Sequence, residues 1–412
     1  MRSFNDLADG SKAERERRGT LHTVAEILQQ PDCLLQVLAD VKSRWGELRP
    51  LARGPLVFLG AGSSAFVGDA LVPAAMAHGI DARSVPTTDV VSHPQTWLGH
   101  GGGFYVSFAR SGDSPESLAA IDLAVRLHPQ AGQVGITCNA EGKMATLLRG
   151  LPGAVVLTMP PATNDQSLAM TSSVSSMYAA GLALIYAEAP AVFEALMPVA
   201  AQVLSSTLDR FGEKVFGLMA RRPKRVQYLG AGVNYGIARE TRLKMQEMTE
   251  GRIVTQYESY LGLRHGPQVF VNAECLVIAY VSSDPRARVY ELELLRELRA
   301  KKQGLYVLAV CDHDDGGLAA TVEEVFEIDP QGTMAAAAAA CGARPEELDS
   351  FFAPSHLAVG QMLATAASLD HGLKPDSPSE SGIIHRVVQG VTIFPWTESF
   401  PQSERSLHES RH

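Results

Sequence analysis

No two cysteines in this chain stand in a C-x-x-C spacing, and the five present (Cys33, Cys138, Cys275, Cys311 and Cys341) are scattered and odd in number. That argues against a disulfide framework and against a cysteine zinc site, and it suits thiols kept reduced in a cytoplasm. Positive charge is also scarce. Lys and Arg number 36 against 45 Asp and Glu, a net charge of −9, so no general affinity for nucleic acid or for acidic membranes is expected. No uninterrupted apolar stretch reaches the length of a membrane helix. The opening "MRSFNDLADGSKAERERRGT" has no apolar run behind its charges, so it does not read as a signal peptide. The histidines lack ligand spacing, no G-x-S-x-G elbow appears, and neither a metal nor an organic cofactor is expected.

What is there is the composition of a folded α/β protein. Of 412 residues, 46% are apolar and 20% charged, which fits two medium domains with extensions. Up to about residue 49 apolar residues recur three and four apart, as in "LHTVAEILQQPDCLLQVLADVKSRW", the spacing of helices. Short apolar runs then alternate with helical segments: "PLVFLGAG", "GFYVSFARSG", "GQVGITCN" and "AVVLTMPP". Buried strands alternating with helices predict a parallel sheet covered on both faces. After a helical stretch from about 167 to 221 the pattern restarts in "RVQYLGAGVNYGIARE", "ECLVIAYVSSD" and "GLYVLAVCD". "FLGAG" ends at Gly62 and "YLGAG" at Gly232, an offset of 170 residues. We therefore expect one α/β unit in two copies. The boundary falls near 200–222, where "ARRPKR" breaks the pattern. "MAAAAAACGA" reads as a short packing helix, and "IIHRVVQGVTIFPW" near the end as a strand.

The two glycine loops do not make a dinucleotide site. Neither continues as G-x-G-x-x-G, and Asp81 precedes the strand whose end should carry the ribose-binding acid. The turn in "SFARSGDSPES" is more informative. Ser114 before Pro115 predicts a capped helix start. Its free N–H groups, with the hydroxyls of Ser111 and Ser114 and the guanidinium of Arg110, also make a seat for phosphate. Asp113 and Glu116 have the wrong sign for phosphate and suit the helix dipole, so cap and seat both stand as readings. Ser63 and Ser64 follow the first strand, and Thr171, Ser172 and Ser173 open another helix. In a parallel sheet, three hydroxyl-rich helix starts can converge beyond the strands' carboxyl ends. In "RETRLKMQEMTEG" a helix places Lys244 and Glu247 on one face, either as a solvated ion pair or as a carboxylate base with its partner. His265 lies in a Gly-Pro turn, where a histidine is either simply exposed or a proton carrier.

Taken together and in order, "GAGSS", "ARSGDSPES", "AMTSS", "RLKMQEMTEG", "LRHGP" and "RVVQGV" resemble the sugar isomerase (SIS) domain family across about residues 50–395. The type most resembled is the galactosamine-6-phosphate deaminase, or tagatose-6-phosphate ketose/aldose isomerase. The resemblance implies two tandem SIS domains, each a flavodoxin-like parallel sheet between helices. These would span 50–215 and 216–345, after an N-terminal helical segment (1–49) and before a C-terminal extension (346–412).

It also implies a cytoplasmic homodimer or higher homo-oligomer that deaminates and isomerises a 2-amino-2-deoxyhexose 6-phosphate without a cofactor. Ser63, Ser64, Arg110, Ser111 and Ser114 would bind the phosphate, with Thr171 and Ser172 near the sugar. Glu247 would move the proton, Lys244 assist it, and His265 open the ring, shared across the subunit interface as in the isomerase half of glucosamine-6-phosphate synthase. Ala109 and Arg110 depart from that synthase's serine and glutamine, and Lys374 is no clear match for its C-terminal lysine. An isomerase acting on a sugar without nitrogen, and a sugar-phosphate sensor without turnover, are the other readings.

Overall fold

The protein, described by a computed structural model over residues 3–99, 103–388 and 390–396, contains two five-stranded parallel sheets. The first is built from β1 (Leu56–Gly60), β2 (Ala82–Pro86), β3 (Phe104–Ala109), β4 (Gly132–Thr137) and β5 (Val155–Thr158). The second is built from β6 (Arg225–Leu229), β7 (Val254–Glu258), β8 (Cys275–Tyr280), β9 (Tyr306–Cys311) and β10 (Glu324–Glu327). Their orders are β2-β1-β3-β4-β5 and β10-β9-β8-β6-β7, the same connectivity read from opposite edges. The central strands are continuous apolar runs because helices cover both faces, whereas edge strands β2 and β7 are partly exposed.

In each sheet the chain order reverses once, between β1 and β3 and between β6 and β8. Crevices open at such switch points, outside the carboxyl ends of the strands. The repeated glycines shape both in one way. Gly62 and Gly232 have the same backbone angles, φ 55° and ψ −129°. A Cβ on Gly60 would lie 2.4 Å from the Ser64 carbonyl carbon, and one on Gly230 2.1 Å from the Asn234 oxygen. The strand-to-helix turn is that tight in both copies, so only glycine fits.

The helices that follow those turns, Ser63–Ala77 and Val233–Met248, join the two units. They approach so closely at Gly236 that a Cβ there would sit 2.5 Å from the Ala70 nitrogen. Asp69 and Arg239, one on each helix and 170 positions apart, form an ion pair at 2.5 Å. The helix Leu348–Asp370 packs against Val233–Met248 and against Pro190–Phe211. It lies within the span that the sequence assigns to an extension, yet it is buried along almost its whole length.

Pro190–Phe211 is long and apolar enough to cross a membrane by length and composition, although Glu194, Gln202 and Asp209 interrupt its apolar run. Its apolar residues, from Phe193 and Leu196 to Leu208 and Phe211, are buried in the common core. The "MAAAAAACGA" stretch is the helix Thr333–Cys341, with only Met334 and Ala338 buried.

The C-terminal segment corrects one expectation. "IIHRVVQGVTIFPW" forms no strand among the described residues, and Gln389 of its "RVVQGV" lies outside them. Its backbone is engaged instead by side chains. Arg110 donates to the carbonyl of Arg386. Upstream, Asp376 accepts from the N–H groups of Leu21, His22 and Thr23 at 2.8–3.1 Å, tying the segment to the N-terminal helices. Downstream, Trp396 packs on the cluster of Val90, Leu98 and Leu123.

Candidate active site

The crevice between β1 and β3 opens into a cleft of about 620 Å³. Ala61, Gly62 and Ser63 from the first turn, Arg110 from the end of β3, and Leu243, Gln246 and Glu247 from the second unit line it. The C-terminal segment forms a further wall with Ser381, Ile383, Ile384, His385 and Arg386. The site thus combines strand ends of one unit with a helix of the other.

Lys244 and Glu247 are one turn apart on the helix Val233–Met248, and Lys244 Nζ lies 2.6 Å from Glu247 Oε2. This is no solvated pair: the lysine is fully buried. Its ammonium also donates to Ser63 Oγ at 2.9 Å and stands 3.4 Å from Glu240 Oε1. Two of its three donors are thus bonded, to Ser63 and Glu247, while Glu240 stands beside the ammonium as an ion-pair partner only. Burial pulls the ammonium down, but Glu240 and Glu247 together outweigh it and hold Lys244 above its ordinary value. Glu240, fully buried with no hydrogen-bond donor on either carboxylate oxygen among the described residues, is pushed up to about 7, chiefly by desolvation and against the pull of Lys244. Glu247 is different because its carboxylate reaches the cleft. A carboxylate held by a buried cation and open on its other side is equipped to take a proton from a bound molecule.

Glu240 went unnoticed in the sequence, although its place four residues before Lys244 was a readable signal. Its burial was not, because that depends on helices 170 residues apart packing together.

The serine-rich turn after β3 is bonded differently from the expected cap, and neither Ser111 nor Ser114 is among the residues that line the cleft. Ser114 occupies the N-cap position of the helix Pro115–Leu127, but its hydroxyl bonds Ser117 Oγ at 2.7 Å and accepts from no helix N–H. The cap expected from its hydroxyl is not made. Ser111 Oγ accepts from the Asp113 N–H at 3.2 Å, and Asp113 turns away to accept from Lys143 N at 3.1 Å, the start of the next helix. No acidic side chain among the described residues accepts from the N–H of Ser111, Gly112 or Ser114. That leaves a turn with positive character at a helix N-terminus.

Other predicted residues are placed less directly. Arg110 lines the cleft, but its guanidinium is spent on the carbonyls of Ser167 (3.1 Å), Leu168 (3.2 Å) and Arg386 (2.5 Å). Desolvation lowers its pKa, partly offset by nearby Asp165. Ser63 and Ser64 are buried at the start of their helix. Thr171 and Ser172 are buried too, and both serve Asp165: the Thr171 N–H donates to it at 2.7 Å and the Ser172 hydroxyl at 2.5 Å. Neither lines the cleft. Asp165 is the true cap of that helix start, and its lone position in "NDQS" carried no signal of it.

His265 sits on an exposed turn before Gly266 (φ 126°), outside the cleft lining. Lys374 is exposed and also outside it. The histidine in the cleft is His385, which the sequence reading passed over inside a presumed strand. No three His, Cys, Asp or Glu side chains among the described residues are grouped to hold a metal ion.

Comparison with known proteins places the chain among relatives of one family that carry two names. The chain is 37% identical over 385 residues to the D-galactosamine-6-phosphate deaminase AgaS of Escherichia coli, covering 91% of this chain and 96% of that one. Its fold superposes on the crystal structure of tagatose-6-phosphate ketose/aldose isomerase from Escherichia coli with a TM-score of 0.79, at 34% identity and over 91% and 97% of the two chains. A Clostridium novyi NT protein that bears the same isomerase name provisionally gives a TM-score of 0.87 at 31% identity, over 96% of this chain and all of that one. No family model matches the sequence.

Proposed function

We propose that this chain, which belongs to the D-galactosamine-6-phosphate deaminase family of two-domain sugar isomerases, converts D-galactosamine 6-phosphate to the ketose 6-phosphate and ammonia. The observation that carries the reading is the Lys244–Glu247 pair, a buried ammonium holding a carboxylate at the mouth of the cleft. Phosphate binds at the Ser111–Ser114 turn, supported by Ser63 and Ser64, and serves as the remote handle that fixes C1 and C2 beside Glu247. Glu247 takes the C2 proton of the open-chain aldehyde and returns it to C1. This leaves an imine at C2, which water converts to the ketone. The substrate's own carbonyl is the electron sink, so the step uses no cofactor.

Ring opening is assigned to His265 of a second subunit. The exposure of His265 on its turn, with exposed Leu261 and Val269 on either side, supports a homodimer whose partner covers that surface. Arg110 acts from the cleft wall near the anion, while Thr171 and Ser172 shape the sugar pocket from beneath through Asp165. We place the enzyme in the cytoplasm, as a hydrolase of amino-sugar phosphate metabolism.

The name of the solved isomerases favours a second reading, the same shuttle on a sugar without nitrogen. An ammonia assay across hexosamine 6-phosphates, run beside isomerisation assays on the non-amino hexose 6-phosphates, separates the two. Ammonia from galactosamine 6-phosphate is expected. Isomerisation of tagatose 6-phosphate with no ammonia from any hexosamine phosphate would overturn the deaminase reading.

A further inference from the structure

The deaminase reading accounts for ring opening and for the proton transfer between C2 and C1, and leaves the departure of the amine without a donor. An amine leaves a carbon as a neutral molecule only after it has been protonated. Glu247 is engaged with Lys244 on one side and faces C2 on the other, so the proton has to come from a second group in the same cleft.

His385 is in that position. It lines the cleft that Glu247 lines, and it arrives on a different element, the C-terminal segment. That segment is pinned on both sides of the histidine. Before it, Ser381 donates through its N–H (2.9 Å) and its hydroxyl (2.7 Å) to Glu250, three residues beyond Glu247, and Arg252 pairs with Glu380 at 2.8 Å. After it, Arg386 donates to the Asp165 carbonyl and to Asn164 Oδ1, both at 2.7 Å, and accepts from Arg110 through its own carbonyl. The imidazole itself bonds no other described residue, so both ring nitrogens are free to exchange a proton with a ligand.

We propose that His385 is the acid that releases ammonia. When water has added to the C2 imine, the imidazolium gives its proton to the amine nitrogen of the carbinolamine. The C2–N bond breaks with its electrons going to nitrogen. The C2 hydroxyl forms the carbonyl and returns its proton to the imidazole. Ammonia and the ketose leave, and His385 is again protonated. The role rests on the deaminase reading and separates it from a plain isomerase: the shuttle at Glu247 is common to both, and the strap histidine is needed only where nitrogen departs.

The test is H385Q, at an exposed position where folding is not at stake, followed in heavy water with galactosamine 6-phosphate. Ammonia release should fall at least ~100-fold, the lower range for loss of a general acid, while deuterium still enters C2 of recovered substrate at near the wild-type rate. Added imidazole should restore release. A H385Q variant that releases ammonia at the wild-type rate, or loses exchange and release together, overturns the role and leaves the reading intact. Wild-type protein that exchanges the proton but releases no ammonia overturns the reading and the role with it.

Discussion

The molecule contains its switch-point crevice twice, and only one copy carries the proposed catalytic pair. At the 170-residue offset, Lys244 and Glu247 answer to Ala74 and Ala77, Ser63 to Val233, and Ser64 to Asn234. Ala74 and Ala77 line the second crevice together with Gly232, Val233, Ser282 and Asp284, and it encloses about 130 Å³ against about 620 Å³.

The anion seats differ more tellingly. In the first, no acidic side chain among the described residues accepts from the N–H of Ser111, Gly112 or Ser114. In the second, Ser282 Oγ and the Ser283 N–H both donate to Asp349, at 2.5 and 2.8 Å, and the Ser282 N–H donates to Glu291 at 2.8 Å. The chain's own carboxylates occupy the place where, in the first copy, no described acidic side chain takes the N–H groups of Ser111, Gly112 or Ser114. Burial presses both acids toward their neutral forms, Asp349 up to about 6 and Glu291 up to about 8. The same turn therefore keeps its donors clear of carboxylates in one half and is bound by them in the other, and the proposed division between recognition and architecture rests on what stands opposite it.

Four experiments bear on that division. The largest effect is expected from Glu247→Gln: ammonia release falls by about 10³-fold or more while sugar-phosphate binding, read by calorimetry, persists. Turnover within tenfold of wild type would end the assignment of the base. Removing both hydroxyls in Ser111→Ala/Ser114→Ala should raise KM about 100-fold with kcat little changed, at roughly 1.5 kcal/mol for each bond to a charged group. An unchanged KM would move the phosphate elsewhere.

In the second half the readout changes from kinetics to stability. Asp349→Ala strands the Ser282 and Ser283 donors and should cost about 1–3 kcal/mol in denaturant unfolding, with kcat within twofold. A kinetic loss without a stability loss would mean that this crevice works too. The last effect is one of slope. Glu291 has its folded pKa raised from 4.5 to about 8, so the folded state holds a proton that the unfolded state releases. Its contribution is fully present below pH 4.5 and is lost as pH rises towards 8, at up to about 1.4 kcal/mol per pH unit. Glu291→Gln should flatten that decline in a stability–pH series; an identical slope in the variant would show that the group does not titrate there.

Much of this was legible along the chain. The twin "LGAG" turns announced the duplication because a tight strand-to-helix turn tolerates only glycine. The alternation of apolar runs and helical spacing announced the parallel sheets. The spacing of Lys244 and Glu247 put them on one helical face, since i and i+3 always share one. The same local logic failed at Ser114, whose hydroxyl found Ser117 instead of the helix, and at Thr171 and Ser172, which turned to Asp165. It failed again at His385, read as part of a strand whose backbone partners are in fact the side chains of Arg110 and others. In each case a residue had two chemically acceptable partners, and spacing alone does not rank them.

By itself, then, the sequence determined the two α/β units, the shape of their turns and which residues lie side by side on a helix, because all of these depend on neighbours within a few positions. Tertiary structure decided which copy became a site. Closing the helices Ser63–Ala77 and Val233–Met248 on each other buried Lys244 between Ser63, Glu240 and Glu247. Folding Leu348–Asp370 into the core brought Asp349 to the turn after β8, and the last segment brought His385 into the wall of the cleft that Glu247 lines. Those contacts join residues 60 to more than 200 positions apart, and a buried charge takes its properties from what surrounds it in space.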